Sequence, residues 1–264
     1  MPEIKIIHGD CLEIMRTLAD KSIDLTVTSP PYDNLRTYNG NSQFDFEGIA
    51  QELFRVTKDG GVVVWVVADA TIKGSETGTS FRQALYFKEI GFNLHDTMIW
   101  QKSNFANPSK NRYHQTHEYM FVFSKGAPIT FNPLTDRKNK YTTGSIGKNS
   151  TRKADGSIKL IPHATCKEWG MRHNVWKINT VGQEQMGKSL PHPAMFPLEL
   201  ATDHIISWSN KGDMVLDPFA GSGTTAIACL NTNRNAILIE KDNDYYKVAL
   251  DRFNRHKQQL TLEI

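Results

Sequence analysis

Two stretches of the chain gather side chains whose types and spacing could do chemistry. The first is Thr28-Ser29-Pro30-Pro31-Tyr32. Its prolines remove two backbone donors and fix two φ angles, so a hydroxyl and two carbonyls form a rigid set of acceptors beside an aromatic ring. The second is Asp217-Pro-Phe-Ala-Gly-Ser-Gly-Thr-Thr225. Gly221 and Gly223 permit a tight turn and close backbone approach, and a helical pattern follows whose first N–H groups are available to a ligand. Phe219, Ser222 and Thr224 are the other candidate contacts of that turn. Glu240 closes the next strand, where an acid hydrogen-bonds a ribose diol.

The glycine run satisfies G-x-G-x-x-G/A, so a nicotinamide dinucleotide and an NAD-dependent oxidoreductase form one reading. Asp217 argues otherwise. A carboxylate at the turn is awkward beside a pyrophosphate but suits a ligand that carries an ammonium or sulfonium. S-adenosylmethionine has both and no phosphate. A helix start that binds no ligand is the third reading.

The elements that must position these residues follow from periodicity. Residues 5–8 read as a strand leading into Gly9-Asp10, and residues 11–20 have the apolar spacing of an amphipathic helix. Residues 23–29 form a strand, 45–61 a helix stopped by Gly60-Gly61, and 62–68 a buried strand. A helix at 79–91 and strands at 93–102 and 118–124 come next. After residue 196 the rhythm resumes with a helix at 197–209, a strand at 214–216, a helix at 224–230 and a strand at 235–242. Strands alternating with helices of this length predict a parallel sheet covered on both faces.

Between residues 126 and 190 the periodicity fails, and Gly, Ser, Thr, Asn and Lys dominate. Ten Lys or Arg side chains lie in residues 132–177 against three acids, Asp136, Asp155 and Glu168. That segment therefore has a net charge of +7 and the rest of the chain −4, although the net charge of the whole is only +3. A solvated loop would account for it, and so would a module that binds a polyanion. Trp169, Trp176 and Ile178 supply the segment with something to bury, which favours an inserted module. The organisation expected is 1–125 as one half of an α/β domain, 126–185 as the insertion, and 186–264 as the other half.

With 39% apolar and 22% charged residues, the composition is that of an ordinary globular protein. The N-terminus lacks the apolar core of a signal peptide. The most apolar run, residues 62–67, is far shorter than the roughly 20 residues that span a bilayer. A cytoplasmic location without membrane attachment is expected. Cys11, Cys166 and Cys229 are scattered and form no CxxC pair, and His163 with Cys166 has no second pair nearby, so no metal is expected.

Taken together, TSPPY at 28–32 and DPFAGSGTT at 217–225 resemble the catalytic and cofactor motifs of amino-group DNA methyltransferases. Their order resembles the β arrangement of that family, with the catalytic motif first, the cofactor motif last and a variable segment between. The resemblance extends over most of the chain, leaving only residues 132–172 unmatched, where target recognition varies in that family. It implies a Rossmann-like, S-adenosylmethionine-dependent fold of seven mostly parallel strands with one antiparallel strand near an edge. The motif order is circularly permuted, and the strand at 214–216 lies beside that at 23–27. It also implies that Asp10 lies at the cofactor adenine and that His192 and Phe196 lie beside the methionine moiety.

The resemblance gives the rigid acceptors a purpose. An exocyclic amine on cytosine or adenine is a poor nucleophile because its lone pair is delocalised into the ring. The Ser29 hydroxyl and Pro30 carbonyl can accept its two hydrogens and favour a pyramidal nitrogen, with Pro31 holding the geometry. Tyr32 can stack on a flipped base and offset the cost of unstacking it. No cysteine follows a proline, as the nucleophile of a cytosine-C5 methylase does. A serine at the first motif position usually accompanies cytosine N4 transfer in this family, with adenine N6 as the alternative. The cations Arg137, Lys138, Lys140, Lys148, Arg152, Lys153 and Lys159 are the expected DNA contacts. The sequence leaves open a homodimer, a restriction endonuclease on a separate chain, and a silent protein that only binds cofactor or nucleic acid.

Overall fold

The computed structural model describes residues 1–31, 44–105, 108–140, 149–161, 167–180 and 197–262. In chain order the elements are β1 (Ile4–His8), α1 (Cys11–Thr17), β2 (Ile23–Thr28), α2 (Phe46–Val56), β3 (Thr57–Val67), β4 (Thr71–Ile72), β5 (Ser75–Glu76), α3 (Thr79–Glu89), β6 (Asn93–Gln101) and β7 (His117–Ser124). They continue with β8 (Arg137–Lys138), β9 (Asn149–Arg152), β10 (Ile158–Ile161), β11 (Trp169–Gly170), β12 (Val175–Lys177), α4 (Leu198–Trp208), β13 (Met214–Asp217), α5 (Thr224–Thr232), β14 (Asn235–Glu240) and α6 (Asn243–Leu262). Two compact units result: Met1–Asn132 with Asn174–Ile264, and Pro133–His173. The smaller unit thus lies inside the 126–185 span expected for the insertion.

The larger unit is built on a sheet of order β1-β14-β13-β2-β3-β7-β6-β12. β7 runs antiparallel to both neighbours, and every other pairing is parallel. The expectation of seven strands falls short by β12, which pairs Trp176 with Trp100 on β6. Trp176 and Ile178 are consequently buried in the larger unit, not in the insertion, and Trp169 is exposed. The Trp100 indole N–H donates to the Ile178 carbonyl at 2.8 Å, which closes this edge.

All six residues Val62 to Val67 on β3 are buried, which requires cover on both faces. On one face Val63, Trp65 and Val67 join Met15 of α1, Ile49 and Leu53 of α2, and Ala84 and Phe87 of α3 in one core. On the other, His204 of α4 stacks on Trp176 at 4.5 Å between ring centroids. The helix expected at 45–61 ends at Val56, and the strand begins at once with Thr57. The Thr57 hydroxyl donates to the Leu53 carbonyl at 2.6 Å, and the pairing of β3 with β2 shifts register between Ile23 and Leu25. Gly60, with φ +78, lies in that irregular start of β3 rather than at a helix stop.

The final helix, α6, had no counterpart among the sequence expectations. Its buried positions Ala249 and Phe253 are spaced one helical turn apart. No helix among the described residues is long and apolar enough to cross a membrane.

Candidate active site

Parallel pairing of Val215 with Leu25 and of Leu216 with Thr26 brings the ends of β13 and β2 side by side. The carboxyl ends of adjacent parallel strands are where ligands bind in such sheets. Thr28, the last residue of β2, reaches across and donates from its hydroxyl to Asp217 Oδ1 at 2.7 Å. The two residues are 189 positions apart in the chain and both are buried. Ser29 and Pro31 are half-buried at this strand end and Pro30 is buried. Tyr32 lies outside the described residues.

Asp217 differs from its expected role. Its carboxylate faces the protein, accepting Thr28 on Oδ1, the Phe219 N–H on the same oxygen at 3.1 Å, and the Thr225 hydroxyl on Oδ2 at 2.6 Å. Burial pushes the Asp217 carboxyl above the ordinary carboxylate range, against the pull of these three bonds. A negative charge this deep persists only when hydrogen-bonded. Its primary work is to tie the glycine turn to the end of β2, and any attraction for a cation acts through space.

The turn itself is held by its backbone. The Ala220 N–H donates to the Ile239 carbonyl at 2.9 Å and the Gly223 N–H to the Ala220 carbonyl at 2.8 Å. Gly221 and Gly223 have φ of +52 and +76, in the left-handed region where a Cβ is strained. A side chain on Gly223 would also meet the Ala249 Cβ of α6 at 3.0 Å. Ser222 and Thr224 are buried, and their hydroxyls accept from Arg252 of α6 at 3.0 Å each. Both hydroxyls thus face the final helix, which leaves the backbone of these two candidate contacts to meet a ligand. Phe219 packs into the core, 5.6 Å from Phe44 and 6.2 Å from Trp65 between ring centroids.

Glu240 ends β14, and Asp10 lies two residues beyond the end of the adjacent β1, where His8 pairs with Glu240. Glu240 accepts the Gly221 N–H on Oε2 at 2.8 Å and the Asp242 N–H on Oε1 at 2.9 Å. Burial pushes its carboxyl up, partly offset by those two N–H groups. Each oxygen keeps lone-pair capacity, so the carboxylate could take two hydroxyls of a diol. Asp10 caps α1 through the Leu12 N–H at 2.9 Å and the Glu13 N–H at 3.4 Å, and pairs with Lys241 at 3.1 Å. Burial alone would raise its carboxyl, but the Lys241 ammonium and the two N–H groups outweigh it and hold it low. This set of acceptors fits a nucleoside with a free diol and a cationic tail. His192 and Phe196 lie outside the described residues.

Burial pushes the Cys11 thiol up to about 12 and the Cys229 thiol up as well. Both would be protonated at neutral pH, which removes them as nucleophiles.

In the smaller unit, β8 pairs with β11 and β9 with β10, each antiparallel. Lys138, Lys140, Arg152, Lys153 and Lys159 are exposed. Arg137 is half-buried and donates to the Met171 carbonyl at 3.0 Å, so it serves the unit's own structure. Lys148 lies outside the described residues. Thr28, Thr225, Lys241 and Arg252 escaped the reading from sequence. The spacing of α6 was the only local signal for Arg252, and Thr28 was visible merely as part of TSPPY.

Residues 23–251 match the DNA methylase family of N6 and N4 methyltransferases. The orphan methyltransferase M.BamHII of Bacillus amyloliquefaciens is 56% identical over 243 residues, covering 90% of this chain and 91% of that protein. The structure of the PvuII DNA methyltransferase, described as cytosine-N4-specific, superposes with TM-score 0.67 at 22% identity, over 96% of this chain and 87% of the other. The structure of the M1.HpyAVI complex with S-adenosylmethionine gives TM-score 0.60 at 25% identity, over 94% and 99%. The catalytic and cofactor motifs both fall within the matched span. The chain therefore belongs to the N6/N4 family of DNA methylases.

Proposed function

We propose that this DNA methylase transfers a methyl group to an exocyclic amino group of a DNA base, with cytosine N4 preferred over adenine N6. The observation that carries the reading is the buried Thr28–Asp217 bond. It joins the end of the acceptor motif to the glycine turn, so a base amine at Ser29 and a nucleoside at Gly221 can approach each other. The cofactor is S-adenosylmethionine, whose sulfonium supplies the methyl group. Glu240 binds the ribose diol, Asp10 lies at the adenine end, and Asp217 contributes negative charge near the cationic tail.

Ser29 and the Pro30 carbonyl accept the two amine hydrogens, which frees the nitrogen lone pair for in-line attack. Because these acceptors sit at a strand end stiffened by two prolines, little ordering remains when the base arrives. Ser29 also supports the choice of cytosine. A serine at this position usually accompanies N4 transfer in the family that the motifs resemble, although a hydroxyl and a carboxylate can each accept one amine hydrogen. The smaller unit, Pro133–His173, binds the DNA backbone through Lys138, Lys140, Arg152, Lys153 and Lys159, and base flipping delivers the target. Mass spectrometry of nucleosides from DNA treated with enzyme and cofactor tests the reading. N4-methylcytosine is expected. N6-methyladenine alone would reverse the base while keeping the mechanism, and no methylated nucleoside would reject both.

A further inference from the structure

The glycine turn has no side chain of its own on Gly221 or Gly223 to hold it, yet it is the part of the site that must meet the cofactor in a defined shape. Glycine loses more conformational freedom on ordering than any other residue. Part of the answer lies on α6. Its Ala249 packs against Gly223 closely enough that an added Cβ would stand 3.0 Å from the alanine Cβ. One turn further on, Arg252 Nη1 shares its two N–H bonds among three acceptors at 3.0 Å: the Ser222 carbonyl, the Ser222 hydroxyl and the Thr224 hydroxyl. Two of these precede Gly223 and one follows it, so a single guanidinium nitrogen spans the most flexible residue of the turn. Ser222 and Thr224 are each only 3% exposed, which keeps water from competing for these contacts.

Fixing the Ser222 carbonyl also fixes the peptide that carries the Gly223 N–H. That N–H points back into the turn, onto the Ala220 carbonyl at 2.8 Å. The turn is thus pinned on both sides of one peptide plane. Planar guanidinium donors hold such geometry with little further loss of freedom, and ordering completed before a ligand arrives is not charged against its affinity.

We propose that Arg252 is a positioning residue for the cofactor, holding the Ser222–Thr224 turn in its binding shape from the final helix. The inference rests on the reading of this turn as the S-adenosylmethionine site. Thr224 opens α5, so the same contact sets where the N-terminus of that helix points.

The test measures cofactor affinity by titration calorimetry, DNA affinity by fluorescence anisotropy, and melting temperature for Arg252→Met, Arg252→Ala and Arg252→Lys. Arg252→Met and Arg252→Ala should weaken cofactor binding by about 10-fold or more, with DNA affinity within about 2-fold of the parent. KM for the cofactor should rise by a larger factor than kcat falls. Arg252→Lys, which keeps a donor without the fork, should fall between. Millimolar guanidinium added to Arg252→Ala should recover much of the lost cofactor affinity while leaving the parent unchanged, a response that a packing defect alone would not give. Cofactor affinity unchanged in Arg252→Met, or cofactor and DNA affinity falling in parallel with no recovery by guanidinium, would overturn the inference. A parent protein that fails to bind S-adenosylmethionine at all would instead sink the reading of the site on which it rests.

Discussion

Replacing Thr28 with valine isolates one hydrogen bond at the junction of the two motifs. Valine keeps the β-branch and one methyl, so the strand preference of β2 is preserved. What disappears is the hydroxyl that donates to Asp217 Oδ1 at 2.7 Å. Thr28 is 2% and Asp217 5% exposed, so no water can take the donor's place. Removing a hydrogen bond to a charged group costs about 1.5–3 kcal/mol. In a domain of this size each kcal/mol moves the melting temperature by about 2–4 °C, so Thr28→Val should melt roughly 3–12 °C lower at neutral pH.

The pH dependence gives the experiment a second handle. Burial raises the Asp217 carboxyl above its ordinary value of 3.8. The folded protein therefore holds that proton more tightly than the unfolded chain, and the penalty of the buried charge is fully present above the folded pKa. It is relieved as pH falls through the folded pKa toward 3.8. Removing the Thr28 donor raises the folded value further. The melting deficit of Thr28→Val relative to the parent should accordingly shrink as pH falls through that window. Thr28→Ser, which keeps the hydroxyl, should retain most of the stability. Thermal melts across pH, with cofactor titrations at neutral pH, check all of this. A valine variant that melts within about 1 °C of the parent and binds cofactor equally well would refute the claim that this bond holds the motifs together.

Glu240→Gln should weaken cofactor binding by about 10-fold and leave DNA binding unaffected, since an amide presents one acceptor where the carboxylate presents two; equal cofactor affinity would remove Glu240 from the site. Because burial raises the Glu240 carboxyl above 4.5, cofactor affinity of the parent should fall with acid at a pH above 4.5, and that inflection should vanish in the glutamine variant. Gly223→Ala combines φ +76 with an approach of 3.0 Å to the Ala249 Cβ. It should lower stability by about 1–2 kcal/mol or more and cofactor affinity with it, seen by thermal melts and calorimetry. Reversing the charge of Lys138, Lys140, Arg152 and Lys153 together should weaken DNA binding and flatten its log-log salt slope by about 0.9 for each phosphate no longer bound, with cofactor affinity intact; an unchanged slope would make the positive segment a solvated surface.

Periodicity and the turn residues were enough to locate most of the α/β elements, because each reports on the backbone within its own few residues. The buried run at 62–67, the glycines at 221 and 223, and the proline pair at 30 and 31 carry their meaning locally. The two motifs and their order were likewise legible without coordinates, and with them the family. Other features depend on partners that no local pattern names. Asp217 looked outward-facing in the sequence because a carboxylate beside a glycine turn suits a cation. Its direction follows from the register of β13 against β2, which sets Thr28 within reach. Trp176 reads as the core of an insertion until β12 pairs with β6 and carries it into the main sheet. That the Ser222 and Thr224 hydroxyls are already bonded shows only when α6 brings Arg252 against them. The residue types and local turns of the site are properties of the chain itself. Which hydroxyls remain for a ligand, and which are already bonded, depends on contacts between segments far apart in sequence, whose pairing only the folded sheet determines.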